Sequence, residues 1–290
     1  MSSTKCLLLI DGHAVAYRAY YAIRELSTRD GVPTNALYGF IRMTEQLVQH
    51  WKPSHVCAVF DGGLAAERIA ALPSYKAQRE AMPEPLVGQF DLIHEYLRGA
   101  GYGYVMEDGR EADDLLATIA QKAVDADCDS LIATSDKDML QLASGRIGII
   151  PPTKSEVRMG PAEVEAKTGV QPSQVAEWLA LVGDVADNIP GVPGIGPKTA
   201  AQLLTSFGSL DELYARLNEV AREKLAVALR EHEEAVWRNL TMTRLQCELS
   251  VNPDWDNWQV GRADARMLHA FYQRMEFKSL AKAVASPTLF

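Results

Sequence analysis

Along the first 160 residues, short apolar runs alternate with segments of helical period. Lys5 to Asp11 (Lys-Cys-Leu-Leu-Leu-Ile-Asp) stays apolar at successive positions until its closing aspartate, which predicts a parallel strand buried on both faces. Val56–Phe60 repeats the pattern and is followed by Asp61. Residues 102–106, 130–134 and 146–150 are further strand candidates, and 156–159 reads as the return of a hairpin around Pro151-Pro152. Between them, Ala14 to Ile23, Asn35 to Trp51, Leu86 to Leu97 and residues 111–126 carry helical periodicity. This succession, with polar groups at the strand ends, predicts an α/β fold: a mostly parallel central sheet flanked by helices, its site at the carboxyl edge.

From about residue 160 the strand signals stop. Pro161, Pro172 and Pro197 each stand where a helix can begin. Residues 199–207, 210–217, 223–245 and 263–275 read as helices. The chain thus divides into an α/β core over 1–170 and a helical region over 171–290. Residues 62–85 interrupt the core: Gly62-Gly63, then Arg68, Tyr75, Lys76, Arg79, Pro83 and Pro85 form a basic-tilted insertion at the edge where loops carry function.

Composition narrows the class without choosing within it. The 290 residues are 47% hydrophobic and 23% charged, ordinary for a globular protein. No apolar run is long enough to span a membrane, and five apolar residues before Asp11 are too few for a secretory signal. Cys6, Cys57, Cys128 and Cys247 lack Cys-x-x-Cys spacing, so they read as reduced thiols of a cytoplasmic protein and not as a zinc site. A net charge of −9 argues at first against a polyanionic partner. Nine carboxylates, however, collect at strand ends and helix starts: Asp11, Asp61, Glu111, Asp113, Asp114, Asp136, Asp138, Asp184 and Asp187. If these converge on cations, the remaining surface is near neutral.

Glu111-Ala-Asp113-Asp114 opens an apolar helical pattern, where the positive end of a helix favours acids. One aspartate in such a place is a turn or a cap. Nine, with no paired histidines or cysteines, indicate hard-cation chemistry suited to Mg²⁺ or Mn²⁺. Two such ions roughly 4 Å apart activate water and stabilise the leaving oxygen of a phosphodiester. Arg68, Lys76 and Arg79 are candidates to clamp the scissile phosphate, and Tyr75 to stack on a base. Tyr17, Tyr20 and Tyr21 divide between core and substrate support, and no histidine is assigned a catalytic role, although His13 follows Asp11 closely. The Gly191–Lys198 segment, with Gly194 and Gly196, is a tight turn between helices whose N–H groups can meet a phosphate backbone, with Lys198 and Thr199 adding side-chain contacts. It lacks the strand and spacing of a Walker A loop.

Together these motifs resemble the 5′-nuclease family: the 5′→3′ exonuclease and flap endonuclease domain of bacterial DNA polymerase I and its free-standing relatives. The residues that carry the resemblance are Leu9-Ile-Asp11-Gly-His13, Tyr75-Lys-Ala-Gln-Arg79, Glu111-Ala-Asp-Asp114, Thr134-Ser-Asp-Lys-Asp138, Gly183-Asp184-x-x-Asp187-Asn-Ile-Pro-Gly191 and Gly194-Ile-Gly-Pro-Lys-Thr-Ala200. The resemblance implies a PIN-like sheet, a helical arch over 62–85 and a helix–hairpin–helix-like element at 189–199. It implies one metal cluster from Asp11, Asp61, Glu111, Asp113 and Asp114, extended toward a second ion by Asp136, Asp138, Asp184 and Asp187. It also implies a potassium ion at the 191–198 turn, and as partners duplex DNA with a 5′ single strand, RNA–DNA primer ends and a DNA polymerase, the chain itself being a monomer. Where many relatives have Thr-Phe-Arg before the arch, this chain has Ala66-Glu67-Arg68. A junction-binding module without catalysis and a single-strand RNase of related fold are the competing readings; the full acid set opposes the first, and the long helical half the second.

Overall fold

A computed structural model describes residues 5–152 and 154–285, so the Met1–Thr4 stretch before the first strand and Thr153 in the expected hairpin lie outside the described residues. Strand β1 (Lys5–Asp11) is the centre of a five-stranded parallel sheet with β2 (His55–Phe60), β3 (Gly103–Met106), β4 (Cys128–Ala133) and β5 (Ile147–Ile150), in the order β3-β2-β1-β4-β5. Leu7, Leu8, Leu9 and Ile10 are all fully buried because the sheet is covered on both faces. Leu8 and Ile10 face a core formed with α1 (Gly12–Ala22), α2 (Asn35–Trp51) and α4 (Glu84–Ala100). Leu7 and Leu9 face α5 (Ala112–Asp125) and the helices that follow. The registers Asp11↔Val59 and Ile10↔Ala133 bring the carboxyl ends of the three central strands level, so whatever follows each strand meets at one edge.

The insertion carries one short helix, α3 (Ala66–Ala71), and then lies down on the core: Arg68, Tyr75 and Lys76 are buried. The second half comprises α6 (Pro161–Thr168), α7 (Val175–Val182), α8 (Pro197–Phe207), α9 (Leu210–Ala215), α10 (Glu223–Glu231), α11 (Glu233–Thr243), α12 (Ala265–Arg274) and α13 (Lys278–Ala285). Packing does not divide at 170/171. Helices α7 to α11 complete the Leu7/Leu9 core, whereas α12 and α13 return to the opposite face against α2 and α4. The connecting strap hydrogen-bonds the sheet through Val56 N–H to Trp258 O (2.9 Å). No helix among the described residues is long and apolar enough to cross a membrane.

Three expectations are corrected. Residues 156–159 form no strand; only Met159 pairs with Ile149, through two backbone hydrogen bonds of 3.0 and 2.8 Å. The helix expected over 223–245 breaks at His232, whose φ of −114° ends α10. Strand structure does recur after 160, as the two-residue antiparallel ribbon of β6 (Gly183–Asp184) and β7 (Ile189–Pro190), too short to leave a periodic signal.

Candidate active site

The level strand ends open into a cleft of about 470 Å³ walled by Asp11, Asp61, Asp113, Asp136 and the basic Arg79. Asp11 caps α1, accepting from Ala14 N–H (3.0 Å), and its other oxygen accepts from the Thr134 hydroxyl (2.7 Å). Asp61 accepts from Ala112 N–H (2.8 Å), so the end of β2 is tied to the start of α5. Asp136 turns back to accept from Asp138 N–H (2.8 Å) while its own N–H donates to Thr134 Oγ1 (3.0 Å). These bonds fix the carboxylates before any ligand arrives. Burial pushes Asp11 up to about 7, with Asp61 and Asp136 adding to it against the bonds from Ala14 and Thr134. Burial, with neighbouring carboxylates adding, also raises Asp113, Asp136 and Asp138 above the ordinary carboxylate range. The crowding is like-charge crowding in a desolvated place, which a cation relieves.

A second group lies alongside. Oxygens of Asp138, Asp184 and Asp187 come within 4.8 Å of one another. Asp138 Oδ1 is buried with no hydrogen-bond partner, an acceptor that only a cation or a donor from outside can satisfy. Three hard oxygen donors and an orphaned lone pair fit a divalent ion. Lys137 stands 3.1 Å from Asp184, and Arg79 is 2.7 Å from Asp187.

Glu111 and Asp114 stand differently from the other seven. The Arg68 guanidinium bridges them, at 3.1 Å from Glu111 and 2.9 Å from Asp114, and donates to Met242 O as well (3.2 Å). Lys76 Nζ is 2.6 Å from Glu111 and the Tyr75 hydroxyl donates to the same carboxylate (2.9 Å). Burial would raise Glu111, but Lys76 and Arg68 outweigh it and hold the carboxyl below its usual range. Arg68, Lys76 and Tyr75 therefore spend their polar atoms inside the protein. Tyr75 is 4% exposed and packs with Ile189 and Met242, so it has no free ring face for a base; the stacking expectation gives way to a packing role in this conformation. Arg79, half-exposed, is the member of the basic set that reaches the cleft as an open group.

The insertion is also stitched to the 184–188 turn. Lys76 N–H donates to Asp187 O (3.0 Å), Asn188 Nδ2 to Ser74 O (2.7 Å), and the Gln78 amide to Val185 O. The glycine turn follows directly. A Cβ on Gly191 would lie 2.0 Å from Val182 O, and one on Gly183 (φ +78°) 2.3 Å from Gly191 N, so the two chains cross with no room for side chains. Buried Val192 and Ile195 anchor the turn, Gly194 and Gly196 are exposed, Lys198 stands on the surface at the start of α8, and Thr199 is half-buried beside it. The turn is not part of the cleft lining.

Several contributors escaped the sequence reading. Thr134 orients Asp11 and Asp136, Gln246 N–H supports Asp114 (2.9 Å), and Asn239 on α11 donates to Pro190 O (2.7 Å). His13 accepts the Asp61 backbone N–H at Nδ1 (3.1 Å) and its ring lines the cleft. Burial holds this imidazole below its ordinary pKa, against the pull of Asp61. Only the adjacency of His13 to Asp11 hinted at its place.

Known proteins share this architecture and sequence. Residues 6–169 match the family model for the 5′-3′ exonuclease N-terminal resolvase-like domain, and residues 170–266 that for the 5′-3′ exonuclease C-terminal SAM fold. A protein of Aquifex aeolicus named 5′-3′ exonuclease is 35% identical over 280 residues, covering 97% of this chain and 95% of its own length. DNA polymerase I of Mycobacterium bovis is 37% identical over 279 residues, 94% of this chain but 31% of the relative, so the chain spans about a third of such polymerases. Among solved structures, T5 5′-exonuclease with bound zinc superposes with a TM-score of 0.70 at 20% identity, covering 97% of this chain and 98% of that one. The catalytic core of Rad2 in complex with DNA substrate gives 0.66 at 18%, covering 98% and 93%. At these identities the structures establish the shared fold.

Proposed function

The chain belongs to the 5′-3′ exonuclease family, and on that premise we propose that it is a Mg²⁺-dependent, structure-selective 5′ nuclease. Its substrate is DNA at a junction of duplex and 5′ single strand, including RNA-primed ends, and its reaction is hydrolysis of one phosphodiester to a 5′-phosphate and a 3′-hydroxyl. The observation that carries this is the pairing of two carboxylate groups at one sheet edge, one of them holding an orphaned buried oxygen.

Asp11, Asp61, Asp113 and Asp136 are suited to hold one divalent ion, and Asp138, Asp184 and Asp187 a second, with Mn²⁺ able to substitute. Divalent ions held by these residues would supply an activated water and charge neutralisation for the departing oxygen. Arg79 is the group open to orient the phosphate. Glu111 and Asp114 serve this site at one remove, fastening the insertion to α5 through Arg68 and Lys76. Lys198, Thr199 and the exposed backbone of Gly194 and Gly196, with partly covered Gly191 before them, would grip duplex backbone, with a potassium ion on the turn's carbonyls. The protein acts as a monomer, beside or joined to a DNA polymerase as in the polymerase I relatives.

The test is cleavage of an end-labelled 5′-flap duplex in Mg²⁺ and in EDTA, with Asp113→Asn alongside. Incision near the junction in Mg²⁺, lost in EDTA and in the variant while flap binding persists, is the expected result. Tight flap binding with no incision in Mg²⁺ or Mn²⁺ would leave a binding module instead.

A further inference from the structure

We propose that His13 contacts the substrate: the Nε2–H of a neutral imidazole on the cleft floor donates to a non-bridging phosphate oxygen of bound nucleic acid. The inference deepens the nuclease reading and rests on it.

The tautomer follows from the hydrogen bonding. Asp61 N–H donates to His13 Nδ1 at 3.1 Å, and a backbone amide cannot give up its proton, so Nδ1 is the acceptor and the ring proton is on Nε2. Asp61 Oδ2, 3.4 Å from the same nitrogen, is beyond a good N–H···O contact and makes no rival claim.

The ring is also held in place. It lies 4.7 Å from the Phe90 ring and edge-on to Phe60 at 5.7 Å. Gly12 before it presses on Phe60 so closely that a Cβ would come within 2.2 Å of that ring. The side chain nevertheless keeps 22% of its surface open and lines the cleft. A donor fixed at one nitrogen and on its ring faces before substrate arrives loses little freedom on binding.

Among the uncharged donors lining the cleft, the Tyr17 and Tyr21 hydroxyls stand further along α1, whereas His13 follows Asp11 closely and is tied to Asp61. Once ionised around divalent cations, the carboxylates of the floor can only accept. Lys76 and Arg68 are buried and committed to Glu111, Asp114 and Asp187, and Arg79, 2.7 Å from Asp187 but half-exposed, is the open donor that carries a positive charge. A polyanion drawn onto this floor needs a donor that brings no positive charge to compete with divalent ions for the carboxylates. A neutral imidazole meets that need.

Two near-isosteres separate its nitrogens. Asparagine places an amide oxygen near the position of Nδ1 and lacks the outer donor; glutamine places an amide N–H near Nε2 and lacks the inner acceptor. Binding of a 5′-flap DNA duplex is measured in Ca²⁺, with Ca²⁺ affinity measured separately by calorimetry. His13→Asn should weaken flap binding about tenfold or more while Ca²⁺ affinity stays within about twofold, and His13→Gln should recover most of the loss. A scan of single neutral methylphosphonates through the DNA gives an independent reading. One position should weaken binding by the wild type and have little further effect in His13→Asn. Flap binding by His13→Asn equal to wild type, recovery no better in His13→Gln, or a parallel fall of Ca²⁺ affinity in both variants overturns the contact. The last of these would mean that the ring acts through Asp61 alone. Absence of flap binding by the wild type overturns the nuclease reading along with it, which distinguishes the two failures.

Discussion

Without divalent ions, this protein should lose stability as pH rises from about 4 to about 7. Asp11 is protonated in the fold up to about 7 but ionises near 3.8 when the chain unfolds. Between those values the folded state binds more protons, so stability is fully present below the lower value and is lost as pH climbs through the upper one. At 1.36 kcal/mol for each tenfold change in proton activity, Asp11 alone accounts for about 4 kcal/mol, a large share of a typical folding free energy. Asp113, Asp136 and Asp138 act in the same direction, while Glu111, held low against burial by Lys76 and Arg68, acts in the opposite one. The assay is urea unfolding in EDTA across pH 4.5 to 8, repeated with excess Mg²⁺ and with Asp11→Asn. The downward slope should be steep in EDTA, shallower in Asp11→Asn, and offset by Mg²⁺ at the alkaline end, where ionised carboxylates bind the ion. Stability that is flat or rising with pH in EDTA would refute the reasoning, as would a slope unchanged in Asp11→Asn.

Arg68→Ala should cost roughly 3–5 kcal/mol by thermal or urea unfolding, because Glu111 and Asp114 remain buried without their shared cation; Arg68→Met should recover little, since it restores volume and not charge. Gly191→Ala should cost roughly 1–3 kcal/mol, because its methyl would need the space of Val182 O, and flap binding should fall more than cleft-bound Ca²⁺ does.

The sheet and its acidic edge were legible in the sequence because each depends on local order. A strand buried on both faces must be apolar throughout, and Asp11 and Asp61 fall where the chain leaves it. What was illegible depends on contacts between distant residues. The periodicity of 223–245 runs through His232 without glycine or proline, and Leu229 and Val236, seven apart and both buried, keep helical phase across the break, so no local pattern marks it. The stop before α13 is carried by Glu276 at φ +58°, a left-handed position without the usual glycine. In the insertion, the sequence shows a base beside an aromatic and cannot say which way either faces. Arg68, Tyr75 and Lys76 turn inward because Glu111 and Asp187, far along the chain, are there to receive them.

The return of α12 and α13 to the early face of the sheet sets the order of events when the chain folds. The bond from Val56 to Trp258 closes a loop of about two hundred residues, a slow step by its entropy. Until residues 265–285 exist, the side of α4 bearing Tyr96 and Leu97 stands open beside Phe40 of α2, so a ribosome-bound chain presents this apolar surface to solvent and to chaperones. The carboxylates, drawn from positions 11 to 187, are all synthesised before the residues that make that seal. A chain shortened to residue 264 should therefore aggregate through the uncovered side of α2 and α4, which light scattering beside the full chain checks.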